Sequence, residues 1–389
     1  MSFLDKPREA RWRPWLFRLH LGSGLTIGLW AIVMGLSGSA LVFKHEIEAF
    51  AEPEIFALEV GSERASLDEA AARIRKDFPD FALLQFRGLE YRDRAFIARI
   101  ARRAQDGSFK DLRQLYFHPA TGELLYDDER FGGVFGFLEE LHYYLLLDAD
   151  YGMQINSAIG AVFAFMCASG LVLWWPGRSR WTDGLKVRWS ARWKRKNYDL
   201  HRALGFWAAT PLLVMASTGF YFGFPAPVIA SLAVVFGEPI EEYQTFFDQP
   251  KVEPRDGGPK ASLDALYARR EELMPSGVEV SRVVPQLRPD APVVMYGSRP
   301  NRTLFGGYGA AYLDPHTGSL LGQADTARAG WAVHAAMMAT PIHFGKWGGI
   351  GSKTLWLLLG LAPGTLFLSG FLMWRNRVSG QTAPNRPTS

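Results

Sequence analysis

Four long apolar runs constrain this chain more than any other feature of its sequence. Each run is 21 to 23 residues long and contains no Asp, Glu, Lys or Arg. At about 1.5 Å per residue, an α-helix of this length crosses a hydrocarbon core about 30 Å thick. The sequence therefore predicts a membrane α-helical four-helix bundle. The predicted spans are 21–43, 153–175, 203–224 and 354–374.

The charges that flank these runs predict their orientation. Residues 176–198 include eight Lys or Arg and one Asp. The positive-inside rule places this loop (176–202), the N-terminal segment and the tail (378–389) in the cytoplasm. The segments 44–152 and 225–353 are then extracytoplasmic. Basic residues also flank the other two cytoplasmic ends. They are Lys6, Arg8, Arg11, Arg13 and Arg18 before the first span, and Arg375 and Arg377 at the end of the fourth segment (354–377).

A cleaved signal peptide is the alternative to a membrane anchor at the first apolar run. Ala49-Phe50-Ala51 resembles a signal-peptidase site, but an apolar run of 23 residues is longer than a signal-peptide core, which favours an uncleaved anchor.

Cys167 is the only cysteine, so disulfides within the chain and a Cys-x-x-Cys-His motif for covalent haem are both excluded. We expect contact with lipid and no nucleic-acid partner.

The sequence repeats itself in two halves. His20 lies 18 residues before Gly38, and His201 lies 18 residues before Gly219. The second and fourth spans also end alike, in ASGLVLWWPGR (168–178) and LSGFLMWRNR (368–377). Each half has two spans, so both halves enter the membrane in the same sense. We therefore expect two pseudo-symmetric halves, related by a two-fold axis along the membrane normal.

The two extracytoplasmic segments repeat as well. Each has a helix-like stretch followed by strand-like stretches, and a Pro-x-Thr-Gly turn joins two strand-like runs in each. The sequence therefore predicts two extracytoplasmic α+β domains. The helix-like stretches are 66–78 and 262–273, the strand-like stretches are 94–103, 112–128, 291–299 and 308–325, and the turns are 119–122 and 315–318.

The repeat brings four histidines into two pairs. His20 and His201 lie at the cytoplasmic ends of equivalent spans, where a two-fold axis turns the imidazoles toward each other. His142 and His343 each precede a span by about ten residues and belong to the extracytoplasmic surface. Taken singly, each is more often an interfacial hydrogen-bonding group than a ligand. As symmetric pairs, they predict haem iron with an imidazole on each side.

Glycines on the same helix faces leave room for a flat cofactor. Gly24, Gly28, Gly35 and Gly38 fall within about 80° of His20 around a helix. Gly38 and Gly219 lie about 27 Å beyond their histidines, at the depth of the outer pair. The alternative is close packing of small residues between helices. The predicted haem slot comprises Gly24, Gly38, Gly205, Gly219, Gly170 and Gly370.

Four further histidines have less specific surroundings. His118 and His316 lie in or beside the Pro-x-Thr-Gly turns, which is typical of solvated turn residues. His45 follows the first span, and His334 lies near Met337. Either His45 or His334 is an alternative outer haem ligand, and a copper site of His and Met is a weaker possibility.

These residues together resemble a known family. FRLHLGSGLTIGLW, ELHYYLLL, DLHRALGFW and above all IHFGKWGGIGSKTLWLLLGLAPGTLFLSGFLMWRNR are similar to the PepSY-associated transmembrane helix family, and within it to inner-membrane ferric-siderophore reductases of the FoxB type. YFHPATGELL and YLDPHTGSLLG resemble the last hairpin of PepSY domains, where Asp-Pro-x-Thr-Gly is usual. His118 departs from that pattern.

The resemblance implies a function. A protein of this kind lies in the bacterial inner membrane, binds two non-covalent haem b groups and passes electrons from a cytoplasmic or membrane donor to a periplasmic ferric-siderophore, releasing ferrous iron. The family's motif histidines fall on His20, His142, His201 and His343. The extracytoplasmic domains are then PepSY-like and periplasmic.

Two other classes of function remain open at this stage. PepSY modules also accompany proteases as inhibitors or folding aids, so the alternative function is a haem-free membrane scaffold that presents such domains to a periplasmic partner. A transporter is the third class. The absence of Asp, Glu, Lys and Arg from the four apolar runs argues against coupled ion transport.

Overall fold

The computed structural model describes residues 3–58, 64–104, 109–129, 133–239, 248–255, 257–299 and 307–381. These residues form two units. The membrane unit comprises Met1–Val42, Leu138–Pro225 and Ile342–Ser389, and the sheet unit comprises Phe43–Phe137 and Ala226–Pro341.

Four long helices form the membrane unit. Helices α1 and α7 each pack against α6 and α12, so α1 and α7 are diagonal partners and α6 and α12 are the other diagonal. All four are long and apolar enough to cross a membrane. The helices are α1 (Arg13–Val42), α6 (Ala149–Trp174), α7 (Trp193–Gly223) and α12 (Gly349–Gln381).

The helices extend beyond the predicted spans. The sequence places residues 176–202 in a loop, but α7 begins at Trp193, so the last ten residues of that loop, with His201, are helical. Hydropathy marks only the part that lies in lipid. Lys and Arg are good helix formers, and the Arg195 and Asp199 side chains pair at 3.0 Å, one turn apart. Helix α12 likewise continues past 377 into the predicted tail.

Eight antiparallel strands form one sheet in the sheet unit. Their order is β4-β3-β2-β1-β5-β6-β7-β8, so the strands of the first half lie side by side and are followed by those of the second. The strands are β1 (Phe81–Arg87), β2 (Phe96–Arg103), β3 (Phe109–Phe117), β4 (Leu124–Glu129), β5 (Glu279–Val284), β6 (Val293–Ser298), β7 (Tyr308–Leu313) and β8 (Leu320–Asp325).

The two halves share this sheet and one hydrophobic core. Strands β1 and β5 join them, with Phe86 opposite Val283. Buried side chains of both halves, among them Phe96 and Met295, belong to a single cluster. The sequence predicts two α+β domains; the structure joins their strands into one sheet.

The shorter helices are α2 (Lys44–Ala51), α3 (Pro53–Phe56), α4 (Leu67–Asp77), α5 (Gly133–Tyr144), α8 (Pro225–Phe236), α9 (Leu263–Ala268), α10 (Arg270–Leu273) and α11 (Trp331–His343).

Helices α4 and α9 cap each other. The Asp68 carboxylate accepts hydrogen bonds from the backbone N–H groups of Leu263 and Asp264, both at 3.1 Å, and from the Ser262 hydroxyl. In return, the Asp264 carboxylate accepts from the Leu67 N–H at 2.7 Å. Each half therefore supplies an acceptor for the free N–H groups at the start of the other half's helix.

Replacing Asp68 with Asn should destabilise the sheet unit by about 1–2 kcal/mol, because a charged acceptor is lost at a helix N-terminus. Partial burial raises the pKa of Asp68, but the hydrogen bonds from Ser262, Asp264 and Leu263 outweigh it and hold the pKa below its usual value. The carboxylate therefore contributes stability above a pH of about 4, and this contribution is lost as the pH falls through the lowered pKa.

Urea titration of the full-length protein in micelles, at pH 7 and at acidic pH, measures this effect. We expect a lower midpoint for D68N at pH 7 and a smaller difference from the wild type in acid. D77N is the control, since among the described residues Asp77 makes only an exposed pair with Arg73, at the other end of α4. Equal midpoints for D68N and the wild type at pH 7 would contradict the capping role.

Candidate functional site

The inner histidines each contact a glycine on a neighbouring helix. A Cβ atom built on Gly170 of α6 would lie 3.3 Å from Cε1 of His20, and one built on Gly370 of α12 would lie 3.3 Å from Cε1 of His201. Any larger side chain at these glycines would therefore press on the imidazole. The contacts are equivalent in the two halves.

The outer histidines repeat this arrangement at the other ends of the helices. A Cβ atom built on Gly38 of α1 would lie 3.0 Å from Cε1 of His142, and one built on Gly219 of α7 would lie 3.3 Å from Cε1 of His343. His142 is near the end of α5 and His343 is the last residue of α11. Each of the four long helices thus supplies one glycine to one histidine.

The residue before each of these glycines holds the same imidazole. At the inner pair, Nδ1 of His20 lies 2.9 Å from the Ser169 hydroxyl, and Nδ1 of His201 lies 2.8 Å from the Ser369 hydroxyl. These hydroxyls already donate to helix carbonyls about one turn earlier, Ser169 to Met166 and Ser369 to Thr365. A hydroxyl has one proton, so it accepts from the imidazole.

The outer pair is held in the same way. Nδ1 of His142 lies 2.9 Å from the Ser37 hydroxyl, and Nδ1 of His343 lies 3.0 Å from the Thr218 hydroxyl and 3.1 Å from the Met215 carbonyl. A carbonyl only accepts, so Nδ1 of His343 carries its proton. Among the described residues, Nε2 makes no hydrogen bond in any of the four histidines, which leaves its lone pair for a ligand bond.

Further contacts fix the segments that carry the outer histidines. The Asn156 side chain of α6 donates to the His142 carbonyl at 2.7 Å and accepts from the Trp30 indole at 2.8 Å. On the other side, the Ser352 hydroxyl donates to the Gly345 carbonyl at 2.6 Å, just after His343. These bonds satisfy carbonyl groups at or just beyond the ends of short helices, where the backbone lacks partners.

The outer imidazoles stand at the separation of two ligands that share a metal. Their ring centroids are 6.3 Å apart, with the rings inclined at 56°. With metal–nitrogen distances of about 2.0 Å, two imidazoles on opposite sides of one metal have centroids roughly 6 Å apart. Over the ranges that the structure describes, no three His, Cys, Asp or Glu side chains cluster as a site for a bare metal ion. The histidines come as pairs.

Burial keeps the outer imidazoles neutral. It lowers the pKa of His142 to about 3, where the neighbouring His343 adds to the effect, and that of His343 to about 4, where the bond to the Met215 carbonyl opposes it in part. Both residues lie outside the spanning helices. The neutral imidazole is the form that binds a metal.

The inner imidazoles line one cavity of about 730 Å³. His20 of α1 and His201 of α7 face it from diagonal helices, and its wall is mainly apolar. Cofactor sites are typically clefts of about 300–1,000 Å³ with this character. The residues therefore fit a flat apolar group that is bound by an imidazole from each side. The glycines that line the cavity are Gly24, Gly28, Gly170, Gly205 and Gly370.

One of the glycines on the His20 face serves helix packing instead. A Cβ atom on Gly35 would meet the backbone of Gly360, so α1 and α12 are in close contact at these residues. Small residues permit such close contact between helices in membranes. The small-residue packing alternative, which the sequence offers at Gly24-x-x-x-Gly28, thus applies at Gly35. Gly28 lines the cavity, as Gly24 does, but a Cβ atom on Gly28 would also meet the Phe367 ring of α12.

The alternative outer ligands have local partners within the sheet unit. Nδ1 of His45 lies 3.5 Å from the Glu48 carboxylate, and Nδ1 of His334 lies 3.1 Å from the Gly330 carbonyl. His118 has a structural use: its Nδ1 accepts from Ala120 N and Thr121 N at 3.2 Å. Its counterpart Asp314 accepts from the equivalent two N–H groups through its carboxylate, so the two turns are built alike.

The hydroxyl groups that hold the imidazoles were not predicted from the sequence. The glycines at 38, 170, 219 and 370 were, but the residue before each glycine is a serine or threonine that binds Nδ1. A Ser-Gly or Thr-Gly pair in each of the four spans is the signal that could have identified them. Partners of this kind set the tautomer and orientation of a ligand histidine.

Comparison with known proteins agrees with this architecture. Residues 17–377 match the model of the PepSY-associated TM region family. No curated protein matches the chain. The match covers both halves of the repeat and all four ligand-candidate histidines. The chain therefore belongs to the PepSY-associated TM region family and is a multi-pass membrane protein with four candidate transmembrane helices.

Proposed function

We propose that this protein is a di-haem b reductase of the bacterial inner membrane. It takes electrons from a donor at the cytoplasmic side and delivers them to a periplasmic ferric-siderophore, from which ferrous iron is released. The inner haem is held by His20 and His201, and the outer haem by His142 and His343.

One observation carries the proposal: four imidazoles, grouped in two pairs, each have Nδ1 held by a hydroxyl and Nε2 unbonded among the described residues. At the outer pair the centroid separation is 6.3 Å. At the inner pair the imidazoles share a cavity. Small-residue packing alone accounts for the glycines, but it does not account for four Nδ1 atoms bound in one way.

Each part of the site has a defined task. Haem supplies reversible one-electron transfer when it is bound there. The Ser and Thr hydroxyls orient the imidazoles, and the apolar wall of the inner cavity excludes water, which tunes the potential. His142 and His343 would together hold the outer haem, which would then supply electrons to a substrate without binding it at the iron.

Charge supports the orientation of the two sites in the membrane. The ends of α1 and α12 near the inner pair are basic, with Arg13, Arg18 and Arg377, and the loop after residue 176 is basic too. The positive-inside rule assigns this end to the cytoplasm. The ferric-siderophore substrate is supported by the resemblance of the last span and its preceding segment to FoxB-type reductases.

The absorption spectrum of the purified full-length protein tests the proposal. We expect a strong Soret band, sharp α and β bands on reduction, and about two haems per chain. Adding a ferric hydroxamate siderophore to the reduced protein should reoxidise the haem and release ferrous iron, which a ferrous-specific chelator detects.

A colourless protein purified from haem-replete cells would contradict the proposal and leave the haem-free scaffold. Two haems per chain without reoxidation by any ferric chelate would retain the cofactor and refute the substrate.

Replacing Ser369 with Ala should weaken the inner site without removing a ligand. The change leaves Nδ1 of His201 without its 2.8 Å partner, and losing such a partner typically costs 10- to 100-fold in metal affinity. Haem release to an apo-globin acceptor measures the effect. S379A is the matched control, since Ser379 is an exposed residue of the same helix that bonds the Arg375 carbonyl. Equal release rates for S369A and S379A would show that the hydroxyl does not support the ligand.

A further inference from the structure

We infer that arginines at the basic end of the inner cavity bind two carboxylate groups on one edge of its occupant, so that the haem propionates point toward that end. This inference rests on the proposed function, and it adds the orientation of the inner haem and the residues that set it.

Arginines line the inner cavity without acidic neighbours. Among the described residues that line it there is no Asp or Glu. The positive charge at the cavity is therefore not balanced by its own wall. The arginines are Arg8, Arg13, Arg18, Arg202 and Arg377.

Two of these arginines share a helix face with the inner site. Arg13 lies seven residues before His20 on α1, and Arg377 lies seven residues after Gly370 on α12. Seven residues are two helical turns, so each arginine lies on the same face as its partner, about 10 Å nearer the helix end. Because α1 and α12 pack together, their charges converge at one end of the cavity.

The partners of the arginines leave them free to bind an anion. The Arg13 guanidinium donates to the carbonyls of Val172 and Leu173 at the end of α6. Arg18 lies over the Trp15 ring at 5.4 Å, and Arg377 lies over the Phe17 ring, at 5.0 Å.

Across the described part of the chain, none of the five pairs with a carboxylate. Arg202, next to His201, has neither a hydrogen bond nor a ring contact there. Guanidinium groups beside an apolar slot bind carboxylates strongly, often through two parallel hydrogen bonds.

The ligand chemistry follows from the shape and the charge together. The slot between His20 and His201 takes a flat apolar ring, and the charge lies at one end only. A porphyrin with two carboxylates on one edge satisfies both features. The phosphate of an anionic lipid is the other source of negative charge at a cytoplasmic helix end, so the test must separate the two.

The test compares haem with haem dimethyl ester, in which both propionates are neutral. The apo-protein, full length and carrying H343A so that only the inner pair is complete, is titrated in phosphatidylcholine nanodiscs that contain no anionic lipid. Soret absorbance reports binding. We expect the ester to bind at least tenfold more weakly than haem, as for the loss of one charge-assisted hydrogen bond or more.

Variants locate the effect. In R202Q/R377Q, haem should bind about tenfold more weakly than in the parent, and the preference for haem over the ester should largely disappear. R202K/R377K should restore part of it. K194Q is the matched control: Lys194 is the repeat counterpart of Arg13, seven residues before His201, and it does not line the cavity. It should keep the full preference.

The outcomes separate this inference from the proposed function. Equal affinities for haem and the ester in the parent protein would overturn the inference while leaving haem binding intact; this is also the result expected if the arginines serve lipid phosphates. A preference that K194Q abolishes and R202Q/R377Q retains would overturn it as well. Absence of a Soret band with either porphyrin would overturn the proposed function itself.

Discussion

Replacing His201 with alanine should leave the protein with about one haem per chain instead of two. The imidazole is one of two that face the inner cavity, and its removal takes away one axial ligand and the contact with Gly370. The outer pair lies at the other ends of the helices, about 27 Å along α1 from His20 to Gly38. The outer haem should therefore be retained.

The number of haems per polypeptide, measured from the absorption spectrum of the reduced protein, tests this prediction. H20A should behave like H201A, and the double variant should lose no more than either one, because a pair that has lost one ligand is already incomplete. The control is H316A, which removes a half-buried turn histidine of the sheet unit that does not belong to either pair. Retention of two haems in H201A would refute the pairing of His20 with His201.

Replacing Gly370 with leucine should empty the inner site although the variant keeps all four ligand-candidate histidines in its sequence. Even a Cβ atom at this position would lie 3.3 Å from Cε1 of His201, so a leucine side chain must push the ring aside or occupy the slot. We expect about one haem per chain, the same loss as in H201A. The result would separate the need for space from the need for a ligand atom.

Gly351 provides the matched control for this change. It lies in the same helix and has nothing within 4 Å of a Cβ atom built on it. G351L should keep two haems and the wild-type expression level. If G370L also kept two haems with an unchanged spectrum, the glycine would be a packing residue and the cavity would not be the site of the inner haem.

The sequence predicts the membrane unit well because its signals are local. Runs without charged residues mark the spans, and the repeat pairs His20 with His201 before any coordinates are known. The start of α7 was less predictable. The apolar run that marks this span begins at residue 203, but the helix begins at Trp193, because helix formation does not require apolar residues.

The joining of the two halves in one sheet could not be predicted in the same way. Strands β1 and β5 were not identified, and they are the pair that connects the halves. Phe86 and Val283 are far apart in the chain, and no turn between them fixes their register. The Pro-x-Thr-Gly hairpins were recognisable because their chemistry is local, down to the two N–H groups bound by His118 and Asp314.

The hydrogen bonds from the imidazoles to the hydroxyls were not predicted from the sequence for a different reason. Ser37, Ser169, Thr218 and Ser369 look ordinary in apolar helices, where such residues usually bond a carbonyl of their own helix. They do so here, and the lone pair that remains accepts from an imidazole on another segment. Only the tertiary arrangement shows this second bond.

Electron paramagnetic resonance of the oxidised full-length protein at low temperature tests the central claim, that two pairs of imidazoles each bind one iron. The account predicts two low-spin ferric haem signals of the bis-imidazole type, one of which disappears in H201A and the other in H343A. A high-spin haem signal in the wild type, or low-spin signals that survive both substitutions, would contradict it.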